Sequence, residues 1–192
     1  MSQTPATLLA DYRAPAWRVR EVALRFELDF AETRVFARLQ LERHPGRDDG
    51  EALRLQGEDL QLLHVRLDGR ELRPDEFRVD ADALTIPDAP SPCVVETEVL
   101  IRPEKNTRLE GLYRSGSFLT TQCEAEGFRR ITWFIDRPDV MATYRVRLEA
   151  DRDRFPVLLA NGNPGDHGRL PGGRHYAEWV DPWPKPSYLF AI

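Results

Sequence analysis

Residues 22–30, VALRFELDF, place Val22, Leu24, Phe26, Leu28 and Phe30 on one side of an extended chain and Ala23, Arg25, Glu27 and Asp29 on the other. A period of two is the mark of a strand with one buried face. After Ala31 and Glu32 the pattern resumes. Val35, Ala37, Leu39 and Leu41 alternate with Arg34, Phe36, Arg38 and Gln40, so the two runs read as an antiparallel hairpin. Leu63, Val65 and Leu67 repeat the alternation and run into Asp68-Gly69, a pair suited to the positive φ angles of a tight hairpin turn. Phe77 to Val79 and Leu84 to Ile86 read as short strands, and Val95, Thr97, Val99 and Ile101 as a longer one stopped by Pro103. Tyr144, Val146 and Leu148 alternate with Arg145, Arg147 and Glu149, and Tyr176 to Val180 and Tyr188 to Ile192 also read as extended. No segment sustains a 3.6-residue apolar period. The predicted fold is therefore mostly β, a large antiparallel sheet arranged as a saddle or sandwich with little helix.

Two stretches depart from the alternation. Gly162 to Gly173, rich in Gly and Pro, reads as an exposed loop. Leu112 to Asp139 carries too many aromatic residues for a simple solvated loop. The chain stops on Tyr188-Leu189-Phe190-Ala191-Ile192, an apolar run that reads as a strand interrupted in mid-course.

A length of 192 residues suits one large domain, and 41% hydrophobic with 31% charged residues is the composition of an ordinary globular chain. The net charge of -5 argues against a general nucleic-acid or anionic-membrane surface, and no run of about 18 apolar residues could span a bilayer. Met1 to Arg13 lacks the basic and apolar regions of a secretory leader. Cys93 and Cys123 allow at most one disulfide, which favours a reducing, cytoplasmic setting.

Complete catalytic motifs are missing from the sequence. His44, His64, His167 and His175 form no H-E-x-x-H pair, so no metal ligands are assigned in this chain. There is no P-loop, no G-x-S-x-G elbow and no G-x-G-x-x-G. Cys123 reads as structural, because Glu124 and Glu126 beside it would raise its pKa if close in space. The chemistry concentrates in residues 121–139, TQCEAEGFRRITWFIDRPD, where Gln122, Glu124 and Glu126 precede Arg129, Arg130, Trp133, Phe134 and Asp136. From the residues alone this is either a charged turn before a strand or a loop pointing a carboxylate into a cleft.

The same segment resembles the N-terminal domain of the bacterial aminopeptidase N family of gluzincin metallopeptidases. The likeness extends to DYRAP (Asp11 to Pro15), LQGEDL (Leu55 to Leu60), NTRLEGLYRSG (Asn106 to Gly116), NGNP (Asn161 to Pro164) and DPWPKPSYLFA (Asp181 to Ala191). The resemblance implies a single N-terminal β domain over 1–192, packed in the full-length protein against its own catalytic domain. It implies a zinc aminopeptidase of peptide catabolism that acts on peptides through their free N-terminus. The zinc ligands and the G-x-M-E-N loop would lie beyond Ile192, so this chain alone would bind no zinc and be inactive. It further implies substrate binding by Glu124, which would hold the α-amino group, with Gln122 beside the first side-chain pocket. Ala125 follows a peptide bond that is often cis in that family. A free carboxylate suits this task, since a desolvated carboxylate binds an ammonium through a charge-assisted hydrogen bond. The alternative reading is a stand-alone, non-catalytic β-sandwich binding module.

Overall fold

The opening hairpin lies at the centre of the molecule. A computed structural model describes residues 9–47 and 50–192; Met1 to Leu8, most of the stretch read as free of a leader, lie outside the described residues. Strands β1 (Trp17–Glu27) and β2 (Thr33–Arg43) pair antiparallel, with Val22 opposite Leu39 and Leu24 opposite Ala37. Their inward residues Val22, Phe26 and Val35 are fully buried, and each such side chain contributes about 1.5–3 kcal/mol of transfer free energy. The remaining strands are β3 (Leu53–Gln56), β4 (Gln61–Leu67), β5 (Arg70–Glu71), β6 (Arg78–Val79), β7 (Ala83–Ile86), β8 (Cys93–Ile101), β9 (Gly111–Ser115), β10 (Phe118–Gln122), β11 (Ala142–Asp151), β12 (Asn163–Arg169) and β13 (Arg174–Lys185).

Eight strands form one sheet in the order β12-β13-β11-β1-β2-β8-β4-β5. Strands β3, β7 and β6 form a second sheet, and β9 and β10 a separate hairpin. The only helical elements among the described residues are 3-10 turns of three residues, so the mostly β fold with little helix stands. The large sheet is mixed rather than wholly antiparallel, because β1 and β11 run parallel. That pairing needs a long crossover, and the segment between the two strands supplies it with both smaller sheets. One core joins the inner face of the large sheet to Leu53, Leu55, Leu84 and the segment Phe128 to Ile135.

Several local expectations change. In β4 the register shifts between Leu62 and His64, so Leu62 rather than Leu63 packs against the core with Val65 and Leu67. One extra residue in a strand reverses the faces of everything before it. Asp68 and Gly69, with φ of 51° and 79°, make the β4–β5 turn as expected. The stretch Gly162 to Gly173 is not a loop alone, because Asn163–Arg169 is the outermost strand β12, paired only with β13. Gly165, Gly168 and Pro164 are tolerated there because an edge strand needs hydrogen bonds on one side only.

Tyr188 to Ile192 is not a strand. Pro186 follows Lys185, the last paired residue of β13, and Ser187–Leu189 forms a 3-10 turn that turns Phe190 into the core at 2% exposure. Phe190 then meets Phe128 (5.1 Å between ring centroids) and Tyr144 (5.9 Å). Phe128 also packs edge-on against Phe134 at 4.9 Å. Much of the aromatic content of Leu112 to Asp139 is thereby explained, since Phe128, Trp133 and Phe134 are buried, whereas Phe118 is exposed.

Candidate substrate-binding turn

Strand β10 ends at Gln122, opposite Gly111 of β9. Cys123 dives into the core at 1% exposure, and the chain then surfaces for Glu124, Ala125 and Glu126 before burying Gly127 and Phe128. The Gly127 N–H donates to the Cys123 carbonyl at 2.9 Å and closes the turn. Gln122 Oε1 accepts the Glu124 N–H at 3.2 Å. A Cβ on residue 127 would stand 2.6 Å from the Gln122 carbonyl oxygen, so glycine is required for the turn to close this tightly. The Glu124–Ala125 peptide bond is cis, as the resemblance implies.

The two glutamates of the turn differ in their surroundings. Glu126 pairs with Arg129 Nη2 at 3.1 Å, whereas the Glu124 carboxylate makes no hydrogen bond or ion pair among the described residues. Glu124 is thus an exposed anion on a tethered backbone, and Glu126 is already engaged. Arg130, 6% exposed in its side chain, ion-pairs with Glu58, Asp59 and Glu110 and so ties the Leu55 to Leu60 segment and the entry to β9 to the base of the turn. Sequence reading named Arg129, Arg130 and Asp136 without pairing them. Arg129 and Asp136 pair with each other seven residues apart on an irregular segment that has no fixed period, and the partners of Arg130 lie 20 to 72 positions away, so spacing could not match them.

Both thiols are buried and unpaired. Burial, and secondarily the Asp136 charge, pushes the Cys123 thiol up to about 12. The cause is therefore desolvation and Asp136, not Glu124 or Glu126 as the sequence suggested. Burial pushes Cys93 up to about 11. Neither is a thiolate near neutrality, which agrees with a structural role. The histidines are dispersed: His44 contacts the Pro45 carbonyl, His64 pairs with Glu71, and His175 contacts the Phe155 carbonyl. Among the described residues no three His, Cys, Asp or Glu side chains group as a metal site. No described helix is long and apolar enough to cross a membrane.

The chain belongs to the Peptidase M1 N-terminal domain family, which it matches over residues 49–189. It is 53% identical over 192 residues to the aminopeptidase N of Caulobacter vibrioides, which covers 100% of this chain and 22% of that protein. Among solved structures, the Legionella pneumophila aminopeptidase A in complex with aspartic acid superposes with a TM-score of 0.90 at 34% identity, over 95% of this chain and 22% of that one. An M1 zinc metallopeptidase from Deinococcus radiodurans, bound to a Tyr-Ser-Ala substrate, shares the fold with a TM-score of 0.76 at 16% identity, over 92% of this chain and 41% of the other. This chain therefore spans about a fifth of the length of the aminopeptidase N relative, 22% of it.

Proposed function

We propose that this chain is a single N-terminal domain, residues 1–192, that forms one wall of the substrate cleft in a zinc-dependent aminopeptidase of peptide catabolism. Glu124 binds the α-amino group of a peptide, Gln122 borders the first side-chain pocket, and Ala125 sits beside them on the cleft wall. One observation carries this reading. Within a segment whose other charged side chains are paired, Glu124 alone presents a carboxylate with no partner among the described residues, on a turn fixed at both ends. Such a group is arranged to meet a cation from outside the chain. In this reading zinc belongs to the catalytic part of the full-length enzyme, as the M1 zinc metallopeptidase neighbours suggest, and among the described residues no three His, Cys, Asp or Glu side chains group as a metal site. Two unpaired buried cysteines support a cytoplasmic setting.

The test is competition in the full-length protein. An unblocked dipeptide should inhibit hydrolysis of an aminoacyl arylamide, its N-acetylated form should not, and Glu124→Gln should weaken inhibition by the unblocked form about 10-fold or more. Equal inhibition of wild type and variant by the unblocked dipeptide would rule out Glu124 as the amine-binding group. The 192-residue chain purified by itself is expected to release no arylamine and to hold far less than one zinc per chain. Metal analysis approaching one equivalent would overturn this division of labour between domains.

A further inference from the structure

Asp136 is 1% exposed, yet every side of its carboxylate is in use. Its Oδ2 accepts the Arg129 backbone N–H and Arg129 Nε, both at 3.1 Å. Arg129 Nη2 returns to the Asp136 carbonyl at 3.0 Å and reaches Glu126, two residues beyond Glu124, at 3.1 Å. The other oxygen, Oδ1, accepts from Ser187 Oγ at 2.6 Å. Ser187 opens the 3-10 turn that leads to Ile192. At the opposite foot of the segment, Thr121 Oγ1 accepts the Ile192 N–H at 3.0 Å. The Glu124 turn is therefore fastened at both feet to residues 187–192, the end of a chain that spans 22% of the aminopeptidase N relative it matches.

We infer that Asp136 is a positioning residue: through Arg129 on one oxygen and Ser187 on the other, it sets the place of Glu124 relative to whatever follows Ile192. This inference rests on the reading of Glu124 as the amine-binding group. A buried carboxylate of this kind holds geometry well, because shifting either partner leaves an ionic group unpaired in a dry site. The effect on chemistry passes through Glu124, since Asp136 itself is sealed from the surface. Displacement of a binding group by about 1 Å is enough to lower turnover about 100-fold.

A mutant cycle in the full-length protein separates positioning from simple support of the fold. Asp136→Asn alone should lower kcat/KM on an unblocked aminoacyl substrate about 10- to 100-fold. Introduced into Glu124→Ala, the same change should lower it by less than about 3-fold, because the group it positions has gone. A loss of the same size in both backgrounds overturns the inference and makes Asp136 a purely structural residue. No effect of Glu124→Ala alone overturns the amine-binding reading instead, so the two failures are distinguishable. If Asp136→Asn does not fold, Ser187→Ala takes its place in the same cycle. It removes a single hydroxyl, should cost several-fold in the wild-type background and nothing in Glu124→Ala, and overturns the inference if its loss is equal in both.

Discussion

Glu124→Ala in the full-length protein is expected to lower kcat/KM on an unblocked peptide about 30-fold to several thousand-fold, the equivalent of about 2–5 kcal/mol, while zinc content stays unchanged. The size follows from what would be left behind. The Glu124 carboxylate is exposed and has no partner among the described residues, so its ionic interaction gains strength only when the cleft closes over the substrate and removes water. Truncation then leaves an ammonium buried without its counter-charge, which is the costly arrangement. The turn itself should survive, because its closure uses the Gly127 N–H and the Cys123 carbonyl, and its other ties come from Glu126 and Arg129. Steady-state kinetics beside metal analysis check this. An unchanged kcat/KM would reduce Glu124 to a solvated loop residue.

The strands of the large sheet were legible wherever one face is buried and the other is wet, as in Val22 to Phe26 and Val95 to Ile101, because burial imposes the period of two. Legibility failed where another constraint replaced that one. Asn163–Arg169 has almost no buried side chain, so no alternation could reveal it. At Leu62 and Leu63 two adjacent leucines fit either face, and the register shift that decides between them is a property of the pairing with β8. The parallel β1–β11 pair left no local trace, since it depends on how a crossover of more than a hundred residues returns. At the site, the residues of the turn were found through the resemblance and their types. The Asp136–Ser187 and Arg130–Glu58 ties were not, because each joins residues more than fifty positions apart.

Gly57→Ala is expected to destabilise the domain by about 3 kcal/mol, at the upper end of ordinary overpacking, and to lower Tm by about 6–12 °C for a chain of this size. A Cβ at residue 57 would lie 2.2 Å from Trp133 Cε3 and 2.4 Å from Cζ3, on the face of the indole ring. Unlike Gly69 of the β4–β5 turn, Gly57 holds no positive φ, so close contact with Trp133 is the reason for glycine here. Neither side has room to yield. Trp133 is 2% exposed, and the backbone around the pair is pinned by the two hydrogen bonds between Gln56 and Phe134 (2.7 and 3.0 Å) and by the Glu58 N–H on the Arg129 carbonyl (3.0 Å). Those same bonds join β3 to the segment that carries the Glu124 turn, so a side chain at residue 57 would push on the base of the site as well as on the core. The ring contact can be isolated by a second substitution. In a Trp133→Leu background, itself less stable because a large buried ring is lost, adding Gly57→Ala should cost less than about 1 kcal/mol, since the atoms it would strike are absent. Urea unfolding of the four proteins measures the coupling. If the two losses simply add, the stability of this region does not depend on the close approach of Gly57 to Trp133.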